Sequence, residues 1–204
     1  HDALPISLFP YTTLFRSGSL VCHRMLFNAD GTIDLKLPDG IDKKFTTLKK
    51  TVLIDKSGKA VKKEDSYVLS DVASVSFPRL DKTCKIEATV KATGNDDAFG
   101  FAFGACDDKT EVYSIRFDLK NKQLVMSKDD LTRGTTPTQT NVALTVPADK
   151  LFKVKIVAEK SVCVMYVNDK IAFSNRIDKM PKNPWAIFTD KGTEISFSDI
   201  KVYE

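Results

Sequence analysis

Few side chains in this sequence have the types and spacing that catalysis needs. Outside the first seventeen residues the only histidine is His23, whose neighbours alternate as in a strand. We interpret it as a structural residue rather than as a general base. Adjacent aspartates occur at 96–97, 107–108 and 129–130. Hydrolysis by two carboxyls needs them to face each other about 5–10 Å apart, whereas adjacent strand residues point to opposite faces. We interpret these pairs as turn residues and predict no catalytic residue.

Two other side chains are candidates for ligand binding. Arg116 faces away from the alternating row of Tyr113, Ile115 and Phe117, so it could bind a ligand on a sheet face or be a solvated charge. Trp185 follows Pro184 at the start of an apolar strand. It could stack on a sugar ring, but packing in the core or against another domain fits that position better.

Metal and cofactor sites are not predicted. The four cysteines form no C-x-x-C pair and no cluster with histidine, and the calcium-loop pattern D-x-D-x-D-G is missing. No nucleotide-binding or nucleophile-elbow motif occurs. We expect the cysteines to be buried free thiols rather than a disulfide framework; they are Cys22, Cys84, Cys106 and Cys163.

The elements that would position these side chains are strands. Residues 83–92, 98–105 and 111–120 alternate apolar and polar or small residues, and 151–159 with 161–169 form a hairpin pattern. The small residues at 100, 102 and 104 suggest close approach by a neighbouring layer or loop. Strands recur about every ten residues between turn residues. We therefore predict an all-β, antiparallel two-sheet sandwich of jelly-roll or concanavalin-like type, preceded by a short β fragment.

The region before the sandwich divides into three parts. Residues 1–17 resemble a sequencing-library adapter translated in two reading frames, so we exclude them from the interpretation and expect the true N-terminus to be missing. Residues 18–40 are predicted to form two short strands joined by a turn at 28–31. Residues 41–50 are predicted to be a short helix or a linker, and the sandwich is predicted to span 51–204.

Composition excludes two classes of partner. The 204 residues carry a net charge of +4, and the lysines alternate with apolar residues along strands instead of gathering in one patch. This pattern does not favour binding to nucleic acid. No apolar run approaches the roughly 20 residues that span a bilayer, so no membrane partner is predicted.

Short signatures occur along most of residues 18–204. The turn Glu159-Lys160-Ser161, the strand end Val167-Asn168-Asp169 and the pair Arg176-Ile177 resemble the C-terminal sandwich of glycoside hydrolase family 32, which contains invertases, levanases and inulinases. The strands at 98–105 and 111–128 resemble an earlier strand pair of that sandwich, and residues 20–38 resemble the last strands of the family's five-bladed propeller. One departure is Val164, where the family commonly has a glutamate.

The resemblance implies an accessory domain that carries no active site. Residues 18–50 would be a remnant of the catalytic propeller with a linker, and the missing propeller would be the sandwich's partner. The family's catalytic carboxylates belong to earlier propeller blades, so the implied hydrolysis of β-fructosides concerns a secreted or periplasmic parent. The alternatives are a fructan- or oligosaccharide-binding module without catalysis, and a concanavalin-like sandwich from an unrelated glycosidase.

Overall fold

The computed structural model describes residues 28–31, 36–81, 83–104, 111–130, 133–159, 162–176 and 184–204. The chain forms two compact units, His1–Asp34 and Leu35–Glu204. In the first unit residues 28–31 form a turn, in which the Gly31 amide donates to the Asn28 carbonyl at 3.0 Å. This confirms the predicted turn. His23, Cys22 and the flanking strand predictions lie outside the described residues.

The second unit is built almost entirely of antiparallel strands. One short helix, α1 (Asp39–Asp42), precedes them. The strands are β1 (Leu48–Lys49), β2 (Asp55–Lys63), β3 (Ser66–Arg79), β4 (Thr83–Ala92), β5 (Ala98–Gly104), β6 (Glu111–Asp118), β7 (Gln123–Asp130), β8 (Thr135–Ala143), β9 (Leu151–Glu159), β10 (Val162–Val167), β11 (Lys170–Arg176), β12 (Pro184–Lys191) and β13 (Ile195–Tyr203). In the described residues no helix is long and apolar enough to cross a membrane.

The strands form the two layers of a sandwich that share strand β3. The first layer runs β11-β10-β9-β4-β13 to the first half of β3, and the second runs from the second half of β3 through β12-β5-β6-β7-β8. Strand β2 pairs along β3, and β1 extends the first layer beside β13. The predicted all-β antiparallel sandwich is confirmed.

Alternating side chains fill the space between the layers. In β5, Phe99, Phe101 and Phe103 are buried, and the inward positions of β4, β6, β9 and β13 are equally apolar. Neighbouring rings interlock, as where Phe99 stacks on Phe117 at a centroid distance of 5.0 Å. Burial of these core side chains stabilises the fold, because apolar area removed from water contributes roughly 25 cal/mol per Å².

Two of the predicted buried thiols belong to this core. Cys84 and Cys163 are free and fully buried, and each lies opposite Ala158 of β9. Burial raises the pKa of both thiols to about 12. The prediction is confirmed for these two cysteines, whereas Cys22 and Cys106 lie outside the described residues.

The segment that leads into the sandwich is fastened to the outer face of the first layer. The Lys85 ammonium, on a side chain that is 6% exposed, lies 2.5 Å from Asp42 of α1 and 2.9 Å from Glu87. The same ammonium lies 4.5 Å from the centroid of the Tyr203 ring.

The helix ends at Asp42, so it is shorter than the helix or linker predicted for 41–50, and Leu48 already belongs to strand β1. The assignment of 18–50 to an upstream domain stays a prediction.

Candidate functional site

The outer face of the second layer carries an open groove with a cavity of about 260 Å³. Five neighbouring strands contribute to it, and only one of its side chains is aromatic. We call it the outer groove and define it by its lining: Ala102, Val112, Ser114, Arg116, Ser127, Asp129, Thr136, Gln139, Phe188 and Asp190.

The floor of the outer groove is a row of small side chains that crosses the strands. Ala186 of β12 lies opposite Ala102 of β5, which lies opposite Ser114 of β6, which lies opposite Ser127 of β7. Small residues leave the space that the cavity occupies. The sequence predicted close approach at this face of β5, and in the structure Ala102 lines an open cavity there.

Arg116 projects into the groove from β6. Its position opposite the buried row of Tyr113, Ile115 and Phe117 is as predicted. One terminal nitrogen, Nη1, donates to Asp190 Oδ2 at 3.2 Å, while Nε is buried and has no hydrogen-bond partner. The side chain as a whole is 38% exposed, so the rest of the guanidinium can donate hydrogen bonds to a ligand oxygen in the groove.

A second wall of the groove is a connected series of hydroxyl groups around Asp129. The hydroxyls of Ser114 and Ser127 lie 2.9 Å apart. Ser127 then donates to Asp129 Oδ2 at 3.2 Å, and Thr136 donates to Asp129 Oδ1 at 2.8 Å. The interpretation of 129–130 as turn residues is wrong, because both lie in strand β7.

The other candidate from the sequence, Trp185, lies on the opposite face of the same layer. It is 2% exposed and stacks on Phe77 at a centroid distance of 4.6 Å. This is the core packing that its position in the sequence favoured. The aromatic ring that lines the outer groove belongs to Phe188, three residues further along β12.

The remaining aspartate pairs have different roles. The pair at 96–97 lies in the loop before β5, as predicted, where buried Asp97 accepts from the amides of Gly94 at 2.7 Å and Thr193 at 3.1 Å. It therefore ties two loops together. The pair at 107–108 lies outside the described residues. The described part of the chain contains no group of three or more histidine, cysteine or acidic side chains that could hold a metal ion.

Sequence reasoning found Arg116 but missed the residues around it. Asp190, Asp129 and Phe188 come from two further strands, and their meeting depends on strand order. One signal was present: the turn between β6 and β7 sets Asp118 opposite Gln123, which places Ser114 opposite Ser127. From that register, Asp129 follows on the same face as Ser127.

The described part of the chain is thus a sandwich with one polar groove on the outer face of its second layer. The sequence matches the family described as "GH32, BT1760-like, C-terminal domain" over residues 31–202. The chain therefore belongs to this family and is the C-terminal accessory domain of a glycoside hydrolase family 32 protein.

Solved structures share the sandwich fold at low sequence identity. A fructosyltransferase from A. japonicus is 15% identical, with 76% of this chain and 26% of that chain covered and a TM-score of 0.57. A β-fructofuranosidase from Aspergillus kawachii is 17% identical, with 72% and 28% covered and a TM-score of 0.56. The carbohydrate-binding module CBM66 from Bacillus subtilis is 10% identical, with 77% and 97% covered and a TM-score of 0.59.

This chain spans about a quarter of the length of the two enzymes, whereas it matches nearly all of the binding module. No curated protein sequence matches it significantly.

Proposed function

We propose that the outer groove binds a saccharide unit of a β-fructoside, and that the parent protein hydrolyses such substrates. The observation that carries this proposal is the partly exposed Arg116 side chain beside a carboxylate–hydroxyl wall in one open cavity. Sugar hydroxyls both donate and accept hydrogen bonds. They therefore match a groove that offers a guanidinium donor and carboxylate acceptors side by side.

The shape of the groove supports a sugar rather than a flat apolar ligand. Its floor is made of alanine and serine, and Phe188 supplies one apolar surface against which the C–H face of a sugar ring could pack. The choice of a fructoside rests on family membership and on the names of the two enzymes that share the fold. The similar fold of a carbohydrate-binding module supports binding without catalysis.

The test is isothermal titration of the 204-residue chain with levan-type and inulin-type oligosaccharides. We expect measurable heat for the wild type and a loss of at least about tenfold in affinity for Arg116→Ala, because a hydrogen bond from a charged donor contributes about 1.5–3 kcal/mol and 1.4 kcal/mol corresponds to tenfold. Arg116→Lys should bind weakly, since lysine keeps the charge but lacks the planar fork. The matched control is Lys153→Ala, which removes one exposed positive charge from the other layer. Equal affinity for Arg116→Ala and Lys153→Ala contradicts the proposal.

A second role, support of the catalytic domain, is favoured by exposed apolar side chains at the start of the sandwich. Leu48, Val52, Ile54 and Val61 are each about half exposed or more. Val52 also borders a cavity of about 400 Å³. Val52 and Ile54 lie two residues apart in the segment between β1 and β2, and contiguous exposed apolar surface marks interaction sites. We propose that the parent's catalytic domain covers this surface.

This second role predicts coupled unfolding in the parent enzyme. Val52→Glu with Ile54→Glu should separate the calorimetric unfolding of the sandwich from that of the catalytic domain, because charged groups would be forced into an apolar interface. The same pair in the isolated chain should leave its own midpoint nearly unchanged, since both side chains are exposed there. An unchanged calorimetric profile of the parent variant would exclude this surface as the interface.

A further inference from the structure

The ionisable groups of the outer groove are unevenly balanced. Three of its lining side chains are charged, one positive (Arg116) and two negative (Asp129 and Asp190), so the lining sums to one net negative charge. Asp190 is paired with the guanidinium of Arg116 at 3.2 Å. Asp129 accepts hydrogen bonds only from the neutral hydroxyls of Ser127 and Thr136 among the contacts of the described residues.

Among the described charges that line the groove, Asp129 is therefore the one without an oppositely charged partner. An ionised carboxylate has about four acceptor positions, and two of those on Asp129 are occupied by Ser127 and Thr136. The two hydroxyls fix the carboxylate in place without neutralising it. Its remaining acceptor positions can take hydroxyl protons from a neutral ligand, whereas an anionic ligand would bring a second negative charge next to it.

We infer that the outer groove is selective for neutral saccharides over acidic or phosphorylated ones, and that Asp129 is the residue that sets this selectivity. The inference rests on the proposed function, since it concerns which saccharides enter the same groove. Arg116 does not reverse the selectivity, because Asp190 already pairs with its charge, while the N–H groups that face the groove can still donate to a neutral oxygen. Specificity then comes from repulsion of the wrong ligand as well as attraction of the right one.

The test compares a levan-type trisaccharide with the same trisaccharide carrying one phosphate ester, by isothermal titration against the 204-residue chain. We expect the wild type to bind the phosphate ester at least about tenfold more weakly than the neutral sugar. Asp129→Asn keeps the size of the side chain and one acceptor oxygen but removes the charge. The affinity ratio between the neutral and the phosphorylated trisaccharide should therefore fall to about threefold or less. Asp190→Asn, which frees the guanidinium charge, should also lower this ratio.

The matched control is Asp65→Asn in the turn between β2 and β3, which changes net charge equally but lies outside the groove lining. Thermal unfolding of each variant verifies that the fold is retained. If the affinity ratio between the two trisaccharides is equal in the wild type, Asp129→Asn and Asp65→Asn, the inference is overturned while the binding proposal stands. Absence of binding by either trisaccharide to the wild type refutes the proposed function, and the selectivity with it.

Discussion

At the scale of single residues, side chains of one layer face either the outer groove or the core. Arg116 and Trp185 belong to the same layer of the sandwich, but the arginine points to the outer groove and the tryptophan to the core. The reason is the period of two along a strand. Trp185 shares its face with Ile187, which is fully buried, whereas Phe188 shares the other face with Ala186.

Truncation of Trp185 should therefore reduce stability before it affects any ligand. We expect Trp185→Ala to lower the free energy of unfolding by about 3–5 kcal/mol, because it leaves a cavity beside Phe77 and removes a stacked pair. Trp185→Phe should cost clearly less, since it keeps an aromatic ring in place. Urea denaturation followed by far-UV circular dichroism measures both. A loss below about 1 kcal/mol for the alanine variant would contradict the buried position.

The two buried thiols predict a pH dependence of stability. Their pKa values rise from the ordinary 9.0 to about 12 in the folded chain, so above pH 9 unfolded thiols release protons that folded thiols keep. The stabilising contribution is complete below pH 9 and is lost as the pH rises towards 12. We expect the pair to account for a loss of about 1–3 kcal/mol between pH 8 and 10. Denaturation of the wild type and of Cys84→Ala/Cys163→Ala at several pH values measures this, and parallel curves would contradict it.

At the scale of secondary-structure elements, the buried Lys85 is one of three contacts that hold the segment leading into the sandwich. Burial lowers the pKa of Lys85, but the hydrogen bonds from its ammonium to Asp42 and Glu87 outweigh this effect, so the net shift of the pKa is upward. The helix α1 has only four residues, too few to be stable alone. Its position therefore depends on Lys85, on buried Phe45 and on the backbone pairing of Thr47 with Glu204.

Removal of the Lys85 charge should loosen this segment. We expect Lys85→Met to lower the free energy of unfolding by about 1–3 kcal/mol, since Asp42 and Glu87 lose their shared partner in a partly buried site. Hydrogen exchange should accelerate at the amides of Phe45 and Thr47, which bond to Asp42 and Glu204. Lys153→Met, an exposed lysine on the same face, serves as the control. Unchanged exchange at both amides would show that Lys85 does not fasten the segment.

The sequence predicts some elements better than others for a physical reason. Strands β4, β5 and β6 bury every second side chain, so their alternation reveals both the strand and its inner face. Strand β2 buries only Ala60 and is rich in lysine, as expected for an edge strand, so it carries no such pattern. The outer groove was less predictable still, because Phe188 and Asp129 meet only through the order of non-consecutive strands.

At the scale of the whole molecule, strand β3 joins the two layers into one unit. Its residues 66–69 pair with β13 of the first layer, and its residues 73–79 pair with β12 of the second. Between these stretches Asp71 has a φ of 56°, and its amide donates to the Gly192 carbonyl at 2.9 Å. Strand β2 follows the bend with a register shift at Gly58 and Lys59. Strands β2 and β3 form one antiparallel hairpin that both layers share, so we expect the layers to unfold together.

Gly58 is the residue on which this bend places the strictest demand. Its φ is 68°, and a Cβ there would lie 2.1 Å from the carbonyl oxygen of Val72, so alanine brings backbone strain and a clash with main-chain atoms. Gly134 has a similar φ of 62° but open space around its Cβ position, which makes Gly134→Ala a control for the strain alone. We expect Gly134→Ala to cost about 1 kcal/mol and Gly58→Ala about 2–4 kcal/mol. Urea denaturation should also give one transition with an unchanged slope for both variants. Two separate transitions in Gly58→Ala would mean that the layers unfold independently and that the hairpin does not unite them.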